Sequence, residues 1–217
     1  GGGGRGGPGG MRGRPTEIDD RVGAFFVSAT PDAVPAAGGD SKPAAPTSAG
    51  EVLRQLPFVL AAAGQKHRSL VYLADSATDG EKHGQFERAV FTDEVGVALR
   101  FFECVRIDLA AVNGAALRAR VGKTLPGFVA FDAEGHPVGE VAMVGYKADP
   151  KALIEMLDKA VGKSNKVTLP TFVKQYLGIV RDLEQQLQQE KLLDERDKKI
   201  DSGDKAKRAA MEKDRKE

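Results

Sequence analysis

The chain has 217 residues, 41% of them hydrophobic, and a formal charge of +1. This length supports one ordinary domain with long extensions or two small domains, and the balanced charge excludes a strong overall field toward nucleic acid or a membrane surface. A single cysteine, Cys104, excludes an intrachain disulfide and a cysteine-based zinc site. No apolar run approaches the ~20 residues of a membrane-spanning helix, so we expect no membrane span in this chain.

Residues 1–47 are dominated by Gly, Pro, Ala and Ser, which predicts a flexible, disordered arm because little apolar surface offsets the backbone entropy. Within it, residues 21–30 (RVGAFFVSAT) are apolar enough to dock on the globular part as an extra strand. The chain begins at Gly1, and since removal of a leader peptide would explain that start, we favour an exported or periplasmic location over a cytoplasmic one.

The Arg-Gly-Gly units of the arm offer an alternative function, a weak RNA-binding tail. Three arginines without an aromatic residue between them give little affinity, because each phosphate contact is modest and sensitive to salt. We therefore do not expect nucleic acid to be the main partner.

The segment from residue 48 predicts a helix followed by a buried strand. Ser48 is the expected N-cap, with Glu51 three residues later to complete a capping box, and Pro57 should kink or break the helix. The helix has one apolar stripe, formed by Val52, Leu53, Leu56, Val59 and Leu60. The apolar run Ser69–Ala74 (SLVYLA) is typical of a central strand covered on both faces.

Helices and strands continue to alternate after this strand. Phe86 and Val90 share one face of a short helix, and DEVGVALRFF predicts a second helix capped by Asp93. The next predicted strand is Cys104–Leu109, followed by a helix over residues 113–122.

A hairpin and a helix complete the predicted domain. LPGFVAFD and VGEVAMVG are two strands joined by a turn through Gly135. The last helix, DPKALIEMLDKAV, has an apolar face made of Leu153, Ile154, Leu157 and Val161. The order α-β-α-β-α-β-β-α predicts an α/β layer architecture over residues 48–163, a comfortable size for a single core.

This order and two landmarks resemble the thioredoxin-like fold family, in particular its bacterial thioredoxin-like domains. In that family the first central strand leads into a Cys-x-x-Cys loop that starts a helix, and a cis-proline later begins the third strand. TLPGFVAFDAEGHPVGEVAMVG is similar to the second landmark and puts Leu125 and Pro126 at the cis-proline groove. Over Gly50–Val161 the resemblance implies a central mixed four-stranded sheet flanked by helices, here with a disordered N-terminal arm and a long C-terminal helix.

The chain departs from the family at the Cys-x-x-Cys position. The resemblance implies that this vestigial active-site loop falls on four residues without sulfur: Gly80, Glu81, Lys82 and His83. Thiol–disulfide exchange needs an attacking thiolate and a resolving thiol, so we expect a redox-inactive domain with no catalytic residue and no cofactor. Its expected role is to bind or scaffold a protein or peptide partner without covalent chemistry, so an enzyme is the less favoured class.

Cys104 leaves one enzymatic alternative open. It lies in an apolar strand, where a buried cysteine normally behaves as an inert small hydrophobe. A reactive thiol at this position would instead make the chain a single-cysteine oxidoreductase or a thiol sensor.

Other ionisable residues are expected on the surface. His67, His83 and His136 have no spacing typical of metal ligands, so we expect surface histidines and no metal site. Four carboxylates surround the vestigial loop, and a polar loop with a solvated helix start explains them without catalysis: Asp75, Asp79, Glu81 and Glu87.

Residues 164–217 predict a charged helical extension. A narrow apolar seam recurs at spacings of three and four, and we take it as the partner face of the helix: Phe172, Tyr176, Ile179, Leu183 and Leu187. The seam spans about two heptads, which leaves packing on the same chain and coiled-coil association, including self-association, equally open. Beyond Leu193, pairs of an acidic residue followed four residues later by a basic residue, such as Asp194–Lys198, favour a continued helix. We expect this helix to fray near Gly203 into a solvated tail.

Overall fold

The structure, a computed structural model, describes residues 25–29, 48–76, 80–110, 114–122, 124–162 and 166–199. Most of the predicted N-terminal arm, Asp79 and the tail beyond residue 199 lie outside these ranges. The chain divides into two compact units, one ending at Thr171 and one starting at Phe172.

The first unit contains a five-stranded mixed sheet and six helices among its described residues. The strands are β1 (Phe26–Ala29), β2 (Ser69–Ala74), β3 (Glu103–Asp108), β4 (Gly127–Phe131) and β5 (Pro137–Ala142). The helices are α1 (Ala49–Leu53), α2 (Pro57–Gly64), α3 (Gly80–Val90), α4 (Asp93–Leu99), α5 (Gly114–Val121) and α6 (Pro150–Val161). A 3-10 turn occupies Val144–Tyr146, and the long helix α7 spans Leu169–Lys199.

The sheet order is β1-β3-β2-β4-β5. Strand β3 lies parallel to both β1 and β2, whereas β4 is antiparallel to β2 and β5. A mixed α/β architecture with flanking helices and a long C-terminal helix was predicted and is confirmed. The expected four-stranded sheet has a fifth strand. Phe26–Ala29, within the segment 21–30 that was predicted to dock as an extra strand, pairs with β3 and places Phe26 opposite Cys104.

The central strands β2 and β4 are buried on both faces, as the continuous apolar run of β2 indicates. Val71 and Leu73 point to one face, where they join a cluster that includes Leu53 and Leu56 of the α1 segment and Leu117 of α5. The opposite face is aromatic, with ring contacts among Phe26, Tyr72, Phe91 and Phe128. Alternation along the strands thus gives the unit an aliphatic layer and an aromatic layer.

Helix starts follow local sequence chemistry. The Ser48 side chain accepts a hydrogen bond from the Glu51 N–H at 3.3 Å, as predicted, and Pro57 divides the predicted helix by starting α2. The predicted cap of α4 is wrong: the Thr92 hydroxyl caps it by accepting from the Val95 N–H, so Asp93 is its first residue. Leu60 also departs from the predicted stripe, because its side chain is 57% exposed.

The β4–β5 hairpin turns through Gly135, whose φ of +75° lies in the left-handed region that glycine adopts without steric cost. The Asp132 carboxylate accepts hydrogen bonds from the N–H groups of Glu134 and His136 and closes the turn. The Leu125–Pro126 peptide directly before β4 is cis.

Helix α6 starts at the Asp149 cap and buries Leu153, Leu157 and Val161 as predicted. Ile154 is only half-buried; Met156 and Ala160 complete the buried face instead. Across the described ranges, none of the helices has the length and apolar character to cross a membrane.

Candidate functional site

The vestigial tetrapeptide forms the first turn of α3. Gly80, Glu81 and Lys82 are exposed there, while His83 is buried with only 4% of its surface accessible. The expectation of a surface histidine is therefore wrong for His83. The amphipathic pattern of α3 explains this burial, since His83, Phe86 and Val90 recur at spacings of three and four on the helix face toward the sheet.

A buried polar cluster joins α3 to β2 and β3. Glu87 Oε1 accepts hydrogen bonds from the Tyr72 hydroxyl and from His83 Nε2, both at 3.0 Å. Arg106 Nη2 lies 3.2 Å from the same oxygen and 3.8 Å from Asp108. Parallel pairing of β2 and β3 places Tyr72 beside Arg106, so the sheet register assembles the cluster.

The charge state of this cluster follows from its contacts. Burial alone would raise the pKa of Glu87, but the hydrogen bond from His83 and the charge of Arg106 outweigh it and hold the pKa below its usual value. Burial, followed by the charge of Glu87, raises the pKa of Tyr72 far above its usual range. At neutral pH the cluster thus contains an ionised Glu87 and a neutral phenol.

One ring nitrogen of His83 lacks a hydrogen-bond partner among the described residues. Because the Glu87 carboxylate only accepts hydrogen bonds, we assign a proton to His83 Nε2. Within the described part of the chain, His83 Nδ1 and Arg106 Nε are buried without a hydrogen-bond partner. Such atoms are rare in folded proteins, where a water, a bound group or a rearrangement normally satisfies them.

A second polar cluster lies where β2 ends. The Asp75 carboxylate receives two hydrogen bonds from the Arg118 guanidinium, at 3.0 and 2.5 Å, which raises the pKa of Arg118. The Tyr146 hydroxyl donates to the Asp75 main-chain oxygen at 3.0 Å. The expectation of solvated carboxylates is thus wrong for Asp75 and Glu87, which are buried and paired, whereas Glu81 is exposed.

The 3-10 turn connects both landmarks of the predicted site. The Tyr146 ring lies 6.1 Å from that of His83 and 6.2 Å from that of Phe86. Just before the turn, the Met143 N–H donates to Pro126 O at 2.7 Å. The turn therefore touches the start of α3 through Tyr146 and the start of β4 through Met143.

The predicted groove residues differ in exposure. Pro126 is buried and Leu125 is half-buried. Val144, in the adjacent turn, is 72% exposed. Apolar contact surface in this region is therefore provided by Val144 and Leu125 and not by Pro126 itself.

Cys104 is a poor nucleophile in this structure. It is buried in β3, and burial, assisted by the charge of Glu103, raises the pKa of its thiol to about 12. Its sulfur lies 3.6 Å from the Phe102 main-chain oxygen. Reactive cysteines need the opposite environment, with exposure and a lowered pKa.

The remaining histidines lie on the surface, as predicted. His67 Nδ1 contacts the Glu103 carboxylate, and His136 Nδ1 lies 3.5 Å from Asp132 Oδ2. Among the described residues, His, Cys, Asp and Glu side chains form no group of three or more that could hold a metal ion.

The predicted partner face belongs to the second unit, where α7 is one continuous helix. Phe172 and Tyr176 stack with ring centroids 6.1 Å apart. Ile179, Leu183 and Leu187 are 68, 54 and 48% exposed. Coiled-coil association of this face and its packing on the same chain both stay predictions.

Five residues of the two polar clusters were not singled out from the sequence: Tyr72, Arg106, Asp108, Arg118 and Tyr146. A charged residue between the apolar neighbours Val105 and Ile107 of a central strand was a usable signal, because a partly buried arginine is stabilised by a carboxylate close by. The i,i+4 pair of His83 and Glu87 on an amphipathic helix offered a second signal.

In comparisons with known proteins, no family model matched the chain, and neither a curated protein nor a solved structure matched it significantly.

Proposed function

We propose that the chain is a redox-inactive, thioredoxin-like binding module that holds a protein or peptide segment by non-covalent contacts. The observation that carries this proposal is the absence of usable sulfur: the first turn of α3 contains none, and the only cysteine is buried with a raised pKa. A chain without an attacking thiolate cannot start thiol–disulfide exchange.

The strand arrangement supports the thioredoxin-like part of the proposal. Parallel strands β2 and β3 precede the antiparallel β4–β5 hairpin, and α3 starts close to the end of β2. Pro126 stands directly before β4, where the resemblance requires it. These features support the resemblance on topology and on the position of one proline.

The partner segment would lie beside Leu125, Val144 and the exposed start of α3. Related domains accept an extended peptide at this strand start, where main-chain groups of Leu125 would pair with the peptide backbone. Val144 would supply apolar contact, and Glu81 and Lys82 would supply charges of both signs. Backbone pairing would give affinity, and these side chains would give selectivity.

A display selection with random peptides tests this surface. We expect selected peptides to lose at least tenfold in affinity for Val144→Glu, because a charge would replace the apolar contact. Leu60→Glu is the matched control, since Leu60 is also an exposed apolar residue of the first unit, and it should bind like the wild type. Failure to select any peptide, or equal loss in both variants, would reject the proposed surface.

A further inference from the structure

We propose that the Val144–Tyr146 turn is a strap whose tyrosine occupies the anchor pocket for an aromatic side chain of the partner. This inference rests on the proposed function and names the chemistry of the partner residue. The Tyr146 ring would leave its place over His83 and Phe86 when an aromatic side chain of the bound segment takes that place.

The backbone of the strap is held in an unfavourable conformation. Tyr146 has a φ of +59° and follows Gly145 at +64°. The other described non-glycine residue with positive φ, Lys66, lies just after the end of α2, where left-handed residues are common. A bulky residue in this conformation persists only when surrounding contacts hold it, and such residues cluster at ligand clamps and switches.

The contacts that hold Tyr146 resemble those that a ligand would make. Its hydroxyl donates to the Asp75 main-chain oxygen, and its ring meets the rings of His83 and Phe86 edge-on. An aromatic side chain carried by another chain would find the same acceptor and the same rings. The strap thus contacts two rings of α3 and the main chain just after β2, and these groups would form the anchor pocket once the Tyr146 ring leaves.

Two features favour exchange over a fixed structural role. Val144, the first residue of the strap, is 72% exposed, so opening of the turn would not remove this apolar side chain from a packed core. His83, whose ring lies 6.1 Å from that of Tyr146, has a buried Nδ1 without a hydrogen-bond partner among the described residues. A rearrangement that admits a polar group of the partner would give this atom a hydrogen bond.

The strap lowers affinity because only the open fraction of molecules binds. Removing Tyr146 removes that factor. We therefore expect Tyr146→Ala to bind the probe N-acetyl-tyrosinamide at least tenfold more tightly than the wild type. Tyr146→Phe keeps the ring but loses the hydrogen bond to Asp75, so we expect a gain of about threefold to tenfold.

The experiment is an NMR titration of the full chain with this probe, following the imidazole signals of His83 and the ring signals of Phe86. Tyr176→Ala, a tyrosine variant in the second unit, is the control and should leave the affinity unchanged. If Tyr146→Ala destabilises the fold, Tyr146→Phe alone decides the question. Unchanged affinity in a folded Tyr146 variant, or probe-induced shifts that avoid His83 and Phe86, would overturn the strap.

The two proposals can fail separately. Selected peptides that bind at Val144 but ignore Tyr146 substitutions would reject the strap and leave the binding surface standing. A probe that binds the Tyr146 variants at His83, with no peptide selected by the wild type, would support the strap and reject the proposed function.

Discussion

Glu87 organises the buried cluster because one of its carboxylate oxygens accepts hydrogen bonds from Tyr72 and His83 and forms an ion pair with Arg106. Removing its charge leaves Arg106 without its nearest carboxylate. We predict that Glu87→Gln lowers the free energy of unfolding at pH 7 by about 2–3 kcal/mol, below the cost of breaking a fully buried pair because Arg106 is partly exposed. Urea denaturation measures the change, with the exposed Glu81→Gln of the same helix expected within ~0.5 kcal/mol of the wild type.

The same residue gives a pH dependence with a definite sign. The pKa of Glu87 is lower in the folded chain than its unfolded value of about 4.3. Its contribution to stability is therefore fully present above about pH 4.3 and is lost as the pH falls through the folded-state pKa. The wild type should lose stability on acidification over this window, and Glu87→Gln should lose less. Parallel pH profiles for the two proteins would contradict the assignment.

Cys104 decides whether the thiol alternative survives. With a pKa near 12, its thiolate population at pH 7 is about a thousandfold smaller than that of an ordinary cysteine with a pKa of about 8.5. We predict that an aromatic disulfide reagent modifies the native thiol at least about a thousandfold more slowly than the urea-unfolded chain. Comparable rates would favour a thiol sensor and would remove the main support for redox inactivity.

At the scale of elements, two glycines have opposite roles. A Cβ at Gly127 in β4 would lie 2.7 Å from the Val141 main-chain oxygen, whereas a Cβ at Gly178 in α7 would meet nothing within 4 Å. We predict that Gly127→Ala destabilises the first unit by about 1–3 kcal/mol through overpacking. Gly178→Ala should instead stabilise α7 by about 0.5–1 kcal/mol, because alanine has a higher helix propensity than glycine. Circular dichroism with urea denaturation measures both, and a stable Gly127→Ala would show that the β4–β5 contact is looser than described.

Element positions were predictable where the signal was local. The apolar run of Ser69–Ala74 fixed β2, and Gly135 with its polar neighbours marked the hairpin turn. The cap of α4 was missed because Thr92 and Asp93 are both good caps and the sequence alone does not rank them. Strand β1 lies within residues 21–30, whose apolar character predicted an extra strand, but its partner β3 lies far along the chain and periodicity does not reveal that pairing.

The polar clusters were missed for the same reason. Tyr72, Glu87 and Arg106 come from separate elements, and only the sheet register and the crossing of α3 bring them together. Each residue alone looks like an ordinary surface or strand residue. The burial of His83 had a local signal, its spacing from Phe86 and Val90 on α3, but its hydrogen-bond partners did not become apparent from that spacing.

At the scale of the whole molecule, an α/β unit whose only cysteine is buried is followed along the chain by a long helix with an exposed apolar face. The central claim is that this unit retains a sulfur-exchange scaffold without its chemistry. If so, cysteines placed at Gly80 and His83 would stand three residues apart in the first turn of α3, within reach of a disulfide.

Insulin reduction by dithiothreitol, followed as turbidity, tests this claim most directly. The wild type should not accelerate insulin reduction above the uncatalysed rate. The double variant Gly80→Cys, His83→Cys should accelerate it. Acceleration by the wild type would contradict redox inactivity. A folded double variant that forms its disulfide yet leaves the rate at background would contradict the thioredoxin-like scaffold.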